Sequence, residues 1–426
     1  MGSFLRRRRP DARLNRVRRE KSHSQATASA WKAAARQPTA RQSPSPRREY
    51  TPFSGTLNNG QILVESAAEG TVNLILNGAD ISNTSTSPIF ISSADKTIIT
   101  LADGTQNTLT DGASYTFTGA DVDEPNATLF SKDDLVINGN GSLTVNANYN
   151  NGIASKDYLR IVSGNITVNA VNDGIKGRNY ITVKDATITV RAGGDGLQSN
   201  NDEDAEKGYI LIEGGVFNIT AGMDGIQAET RLTINAGTFN ISTAGGSAVN
   251  YEFEESAKGL KAGADVTIAG GAFNIDSADD AIHSNGSLTI NGGELQISSG
   301  DDGIHADAAI TVNNGTLNIL KAYEGIESVI TINGGNIHLN ASDDGINGSG
   351  GADGSSVNGR PGRTVLGSGN AQVFINGSYR YVNAQGDGLD SNGTMAMSGG
   401  TVIVNGPTNN GTVRWILAHL TSQADS

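Results

Sequence analysis

The chain has 426 residues, 55 of them Gly, with no Cys and with aromatics at only 5%. No disulfide or thiolate metal site can form, and a large aromatic-filled core is excluded; this composition allows an aliphatic and thin one. Net charge is −13, but residues 1–50 hold 14 Lys and Arg against 3 Asp and Glu, so the remainder carries −24. Such an acidic body repels phosphates and excludes nucleic acid as a partner, while it attracts cations.

Residues 1–50 are basic, rich in Pro, Ser and Arg and without apolar periodicity, which predicts a disordered leader. Its start, MGSFLRRRRP, has no apolar segment behind the basic residues, so no secretory signal is visible. No apolar run anywhere reaches the length of a membrane span.

From Thr51 the pattern is of short alternating strands, and from Leu135 it becomes a strict repeat. LRIVSGNITVNAVNDGI (159–175), LTINGGELQISSGDDGI (288–304) and ITVNNGTLNILKAYEGI (310–326) align without gaps. Each unit holds a strand, a Gly turn, a second strand and an acidic motif, with a period of 22 residues. Longer intervals locate insertions near 200–209, 245–256 and 347–370. Strands this short bury an apolar face only if identical turns stack. The predicted fold is therefore an all-β, right-handed, single-stranded parallel β-helix of ten to eleven coils over residues 51–411, followed by an irregular tail at 412–426.

Within a coil the inward residues are two from each strand, as in Leu288, Ile290, Leu295 and Ile297, plus the apolar residue after the motif Gly. That last column reads Ile153, Ile175, Leu197, Ile226, Leu260, Ile282, Ile304, Ile326, Ile346 and Leu389. Asn291, Gly292 and Gly293 supply the conformational freedom of a tight corner after the first strand.

The residue before the motif Gly forms a second column of Asp173, Asp195, Asp224, Asp280, Asp302, Glu324, Asp344 and Asp387. Like charges at the ~4.8 Å spacing of stacked strands repel by about 1–3 kcal/mol per pair. Ca²⁺, which takes six to eight oxygens in irregular geometry, is the natural compensator. Asp279, Asp301 and Asp343 stand beside this column, and the insertion adds Asp202, Glu203, Asp204 and Glu206. The competing reading is that Asp-Gly only makes a good turn. His283 and His305 lie one period apart, but the equivalent position elsewhere is Lys176, Gln198, Gln227, Lys261, Glu327, Asn347 or Asp390. A variable outward position is expected there rather than a transition-metal site. Asp301, Asp302 and Asp307 are likewise expected to face outward, and His283, His305, Asn285 and Asp307 are the candidate ligand contacts.

DEPNATLFSKDDLVINGNGSLTVNANYNNGIASKD, GGDGLQSNNDEDAEKGY, SAKGLKAG, SADDAIHSNGSLTINGG and SSGDDGIHAD resemble the bacterial carbohydrate-binding parallel β-helix family typified by a clostridial cellulose- and pectin-binding protein. The resemblance runs over roughly residues 51–410. It implies an extracellular or surface-attached β-helix similar to pectate lyases, with bound Ca²⁺ and affinity for plant polysaccharides including polygalacturonate. Carried over by motif, the calcium candidates are Asp173, Asp195, Asp202, Asp204, Asp224, Asp279, Asp280, Asp301 and Asp302. The basic leader and the closing TVRWILAHLTSQADS depart from the family pattern, which points to a shifted reading frame or gene boundary at one or both ends.

Three functions follow. The first is a non-catalytic, calcium-dependent binder of acidic polysaccharide, with the ion bridging protein and sugar carboxylates. The second is a calcium-dependent pectate lyase, for which Lys176, Lys258 or Lys261 would be the base against a background of ordinary solvated lysines. The third is a structural adhesin rod. No residue pattern encodes an oligomeric state.

Overall fold

The computed structural model describes residues 30–32, 52–67, 70–117, 123–250, 255–349, 371–391 and 393–407. The tail at 412–426, most of the leader and most of the third insertion lie outside the described residues. Within the leader, Ala30–Lys32 forms a strand that pairs in parallel with Gln61–Leu63.

The residues that recur every 22 positions form parallel ladders, as predicted, and among the described residues there is no helix. Leu288 pairs with Ile310, Leu295 with Leu317 and Ile304 with Ile326, so every inward residue sits on its equivalent one coil away. Each coil carries a first strand such as Ser287–Ile290 and a second such as Glu294–Ser299. These belong to one 26-stranded sheet, whose two ladders are joined near the N-terminal end by the 13-residue strand Thr71–Asn83. The whole is a parallel β-helix.

A third strand, Ile304–Ala306 in this coil, begins at the residue after the motif Gly. These third strands make a separate 14-stranded sheet. Ten of its strands carry the predicted Ile/Leu column from Ile153 to Leu389, and four precede it. Three residues with a single polar position give no readable alternation, so the pattern shows the core column and not the strand.

Leu288, Ile290, Leu295, Ile297 and Ile304 are all at most 1% exposed, each contributing about 1.5–3 kcal/mol through burial. The core is thin but not wholly aliphatic. Phe217, Phe239 and Phe273 occupy the second-strand column as a buried stack, ring centroids 4.7 and 4.6 Å apart. Register makes such a stack cheap in entropy, since each ring lies over an identical neighbour.

Two kinds of Gly serve two corners. Gly293 and Gly315 follow the first strand at φ +104° and +114°, where a side chain would strain the backbone. The motif Gly303 is not in that region. A Cβ there would stand 2.6 Å from the Gly325 carbonyl oxygen and 3.0 Å from Ile319 Cδ1. Close approach of adjacent coils, not turn conformation, demands the motif glycine.

One core column holds a charge. Arg380 pairs with Ile337 on one side and Val402 on the other. Its side chain is fully buried, and burial lowers its pKa to about 10. Nη2 donates to the Gly377 carbonyl at 2.6 Å, while Nε and Nη1 have no hydrogen-bond partner among the described residues. Orphaned buried donors cost about 1–3 kcal/mol. Arg380→Leu, which restores the apolar column, is therefore expected to raise the urea midpoint of unfolding by a stabilisation of about that size. A lower midpoint would show that the guanidinium holds the coil together.

Candidate functional site

The acidic column lies at the corner between the second strand and the third, and the structure turns it inward. Asp173, Asp195, Asp224, Asp280 and Asp302 are between 0 and 4% exposed, and Asp279 and Asp301 are equally hidden. The expectation that Asp301 and Asp302 face outward is corrected. The motif Gly lets adjacent backbones approach so closely that the carboxylate between them is covered.

The two oxygens of each Asp do different work. Oδ1 accepts the backbone N–H of the column residue one coil on. Asp195 N donates to Asp173 at 3.2 Å, Asp224 N to Asp195 at 2.9 Å and Lys258 N to Asp224 at 2.8 Å. Asp302 N donates to Asp280 at 3.0 Å, Glu324 N to Asp302 at 3.1 Å and Asp387 N to Asp344 at 2.7 Å. The first rung is neutral: Asn151 Oδ1 receives Asp173 N at 3.1 Å. Turn chemistry is thus real, but it ties one coil to the next.

Oδ2 meets the middle residue of a third strand. Lys176 Nζ stands 2.9 Å from Asp173, Gln198 donates to Asp195, and Lys261 Nζ stands 3.3 Å from Asp224. His283 Nδ1 lies 2.8 Å from Asp280 Oδ2, with Asn285 Oδ1 3.0 Å from its Nε2. His305 Nδ1 lies 3.5 Å from Asp302 Oδ2, with Asp307 Oδ1 3.7 Å from its Nε2. Both imidazoles are fully buried, so the expected variable outward position is corrected. Polar variety at that position reflects different ways of covering the carboxylate beneath it.

The column contains one cation of its own. Lys258, in SAKGL, stands where Asp224 and Asp280 stand in neighbouring coils. It is 1% exposed, with Nζ 2.7 Å from Asp279 Oδ2 and 3.1 Å from Asp280 Oδ2. Burial alone would raise Asp280, but Lys258 and His283 hold it well below the usual carboxylate range. Burial would likewise lower Lys258, yet Asp280 and Asp279 hold it above an ordinary lysine. A solvated surface lysine is therefore the wrong description of Lys258. So is a lyase base, since its proton is held against two carboxylates. Lys176 and Lys261 are each tied to an aspartate.

Away from Lys258 the ladder is strained by charge. Burial, then Asp224 and Asp173, pushes Asp195 up to about 8. Burial and then Asp301, Asp280, Glu327 and Glu324 push Asp302 well above the usual range. Burial and Glu327 push Glu324 up to about 9. Asp344 rises to about 6 through burial, then Asp343, Asp390 and Asp387, and these residues are only half-buried.

Tested as calcium ligands, the residues divide. Asp279, Asp280 and Asp301 bring carboxylate oxygens within 4.8 Å of one another. The Lys258 ammonium already occupies two of them, so an ion fits there only by displacing it. Asp202 is exposed, and Asp204 is 3.5 Å from Lys207; neither joins a ligand cluster among the described residues. Asp343, Asp344 and Asp390 form no cluster within 4.8 Å among the described residues either, but they are half-buried and offer oxygen alone, which suits a hard ion with coordination sites to spare. The repeat spacing that found the column extends to these residues, but gives no sign that the ladder is covered at one end and open at the other.

A family model described as a carbohydrate-binding domain-containing protein matches residues 48–303. A carbohydrate-binding domain-containing protein of Acetivibrio thermocellus is 45% identical over 121 residues, 28% of this chain and 42% of its own length. The match thus spans less than half of that relative. A solved structure, the polysaccharide lyase-like protein from C. thermocellum as a gadolinium derivative, is 39% identical, covering 56% of this chain and 82% of that one with a TM-score of 0.44.

Proposed function

The chain belongs to the carbohydrate-binding domain-containing protein family, and from that premise we propose that it is a non-catalytic binder of acidic plant polysaccharide such as polygalacturonate, held through Ca²⁺. The observation that carries the reading is the half-open end of the acidic ladder, where the charges acting on Asp344 are those of three further carboxylates. A body of this charge repels a polyuronate, so a shared cation has to stand between them. The buried rungs cannot serve, since an ion held there would have no face for a sugar. At Asp343, Asp344 and Asp390 an ion would keep positions for a uronate carboxylate and water. The reading puts the protein outside the cell or on its surface, where such glycans occur.

Affinity electrophoresis in polygalacturonate tests it. Retardation is expected with Ca²⁺ and not with EDTA, and Asp344→Asn with Asp390→Asn is expected to weaken binding roughly tenfold, about 1.4 kcal/mol. Retardation that survives EDTA removes the calcium bridge. Release of unsaturated uronate, seen by its ultraviolet absorbance, would replace binding with lyase chemistry.

A further inference from the structure

We propose that Asp302, His305 and Glu327 form a site for one borderline divalent ion of the Zn²⁺ class, with the Asn347 side-chain oxygen as the neighbouring fourth donor. The site lies one coil inside the open end of the ladder, Asn347 pairing with Asp390 there, and it does not depend on the glycan reading.

Asp302, His305 and Glu327 each bring a ligand atom within 4.8 Å of the other two, and all three side chains are buried. The preceding coil holds a similar set in Asp280, His283 and His305. The two differ in what already fills them. Asp280 Oδ2 has the Lys258 ammonium at 3.1 Å and the His283 ring at 2.8 Å, so that set is neutralised by its own chain. Among the described residues no Lys or Arg pairs with Asp302, Glu324 or Glu327.

The spacing changes with it. His305 Nδ1 to Asp302 Oδ2 is 3.5 Å where the equivalent pair above is at 2.8 Å. That is long for a direct N–H···O bond, whose usual length is about 2.9–3.0 Å. It is close to the separation of two tetrahedral ligands each about 2.0–2.2 Å from a zinc ion, roughly 3.4 Å. Asp307 stands behind the ring, Oδ1 3.7 Å from Nε2, where a carboxylate would orient a metal-bound imidazole.

Asn347 is the independent observation. It is 9% exposed, and Nδ2 donates to Glu324 Oε2 at 2.7 Å and lies 3.5 Å from Glu327 Oε1. Its Oδ1 is buried without a hydrogen-bond partner among the described residues. Such an acceptor costs free energy until something positive meets it. As described, Nδ2 and not Oδ1 faces the carboxylates; a half-turn of the amide would exchange its bond to Glu324 for an oxygen aimed at them, which is favourable only with a cation between. Imidazole with carboxylates selects a borderline ion, whereas Ca²⁺ takes oxygen.

The test uses the full chain, freed of metal by chelation, with Co²⁺ as optical probe and Zn²⁺ in calorimetry under excess Ca²⁺. One equivalent should bind, Co²⁺ should show the intense visible bands of a tetrahedral site, and Ca²⁺ should not displace it. Glu327→Gln, which keeps shape and loses charge, should weaken Zn²⁺ at least roughly tenfold, as should His305→Gln. Asp265→Asn, in a first strand away from the cluster, should leave Zn²⁺ binding unchanged. The proposal is overturned by no binding, by mole-for-mole displacement by Ca²⁺, or by unchanged affinity in Glu327→Gln. Should His305→Gln fail to fold, Glu327→Gln alone decides.

Discussion

Replacing Lys258 with methionine is expected to cost about 3–5 kcal/mol of stability at neutral pH. Methionine keeps the length of the side chain and removes the ammonium, leaving Asp279 and Asp280 as adjacent buried carboxylates with no Lys or Arg paired to them among the described residues and only the His283 ring beside Asp280 Oδ2. The deficit should shrink as pH falls through the carboxylate range, because in the variant protons can neutralise what the lysine did. Lys176→Met is the control. That lysine is a quarter exposed over Asp173, and such a pair contributes at most about 1 kcal/mol. Urea unfolding of both variants checks the ranking, and equal costs would mean that the column does not depend on its internal cation.

In the presence of chelator, stability is expected to decline between about pH 5 and about pH 9, by an amount on the order of several kcal/mol. Asp344, Asp195 and Glu324 are raised to about 6, about 8 and about 9, and Asp302 well above its ordinary value. A carboxyl raised in the folded state binds its proton more tightly there than in the unfolded chain. Its contribution is therefore complete below the unfolded value of roughly 4 and is lost as pH rises through the folded value. Asp280 is lowered instead, so its contribution is present above the ordinary carboxylate range and lost only in strong acid. The balance puts the maximum in mild acid. Divalent ions should flatten the alkaline side, since an ion takes over from the protons. Thermal melts at several pH values, in EDTA and in added Ca²⁺ or Zn²⁺, check this; a midpoint that holds or climbs toward alkaline pH in EDTA would contradict it.

How much of this was legible depends on whether neighbouring coils repeat a residue or vary it. Ile282, Ile304 and Ile326 repeat, so their column and its inward direction could be read directly. The motif acids also repeat, but Asp-Gly is the signature of an exposed turn, and nothing local says that the next coil will close over it. His283 and His305 looked exposed because Lys176, Gln198 and Gln227 take the same place. Burial there is set by what lies across the ladder, not by the residue itself. Two signals were present in the alignment. SAKGL beside DDAIH puts Lys258 in line with acids, and YRYVNA beside NIHLNA puts Arg380 in line with Ile337. In both, a register argument outranks residue type, and assigning charged residues to the surface hides it.

The amide-to-carboxylate bonds along the ladder also bear on how the molecule comes apart. Each coil is fastened only to the two beside it, so stability adds link by link and is not shared through one centre. A lesion at Lys258 then resembles a cut in a chain of weighted links: the stretches on either side can melt separately. Hydrogen exchange in Lys258→Met should find fast exchange confined to the coils around 224–282 while the outer coils keep their protection. What fails first would be one joint, leaving two shorter rods.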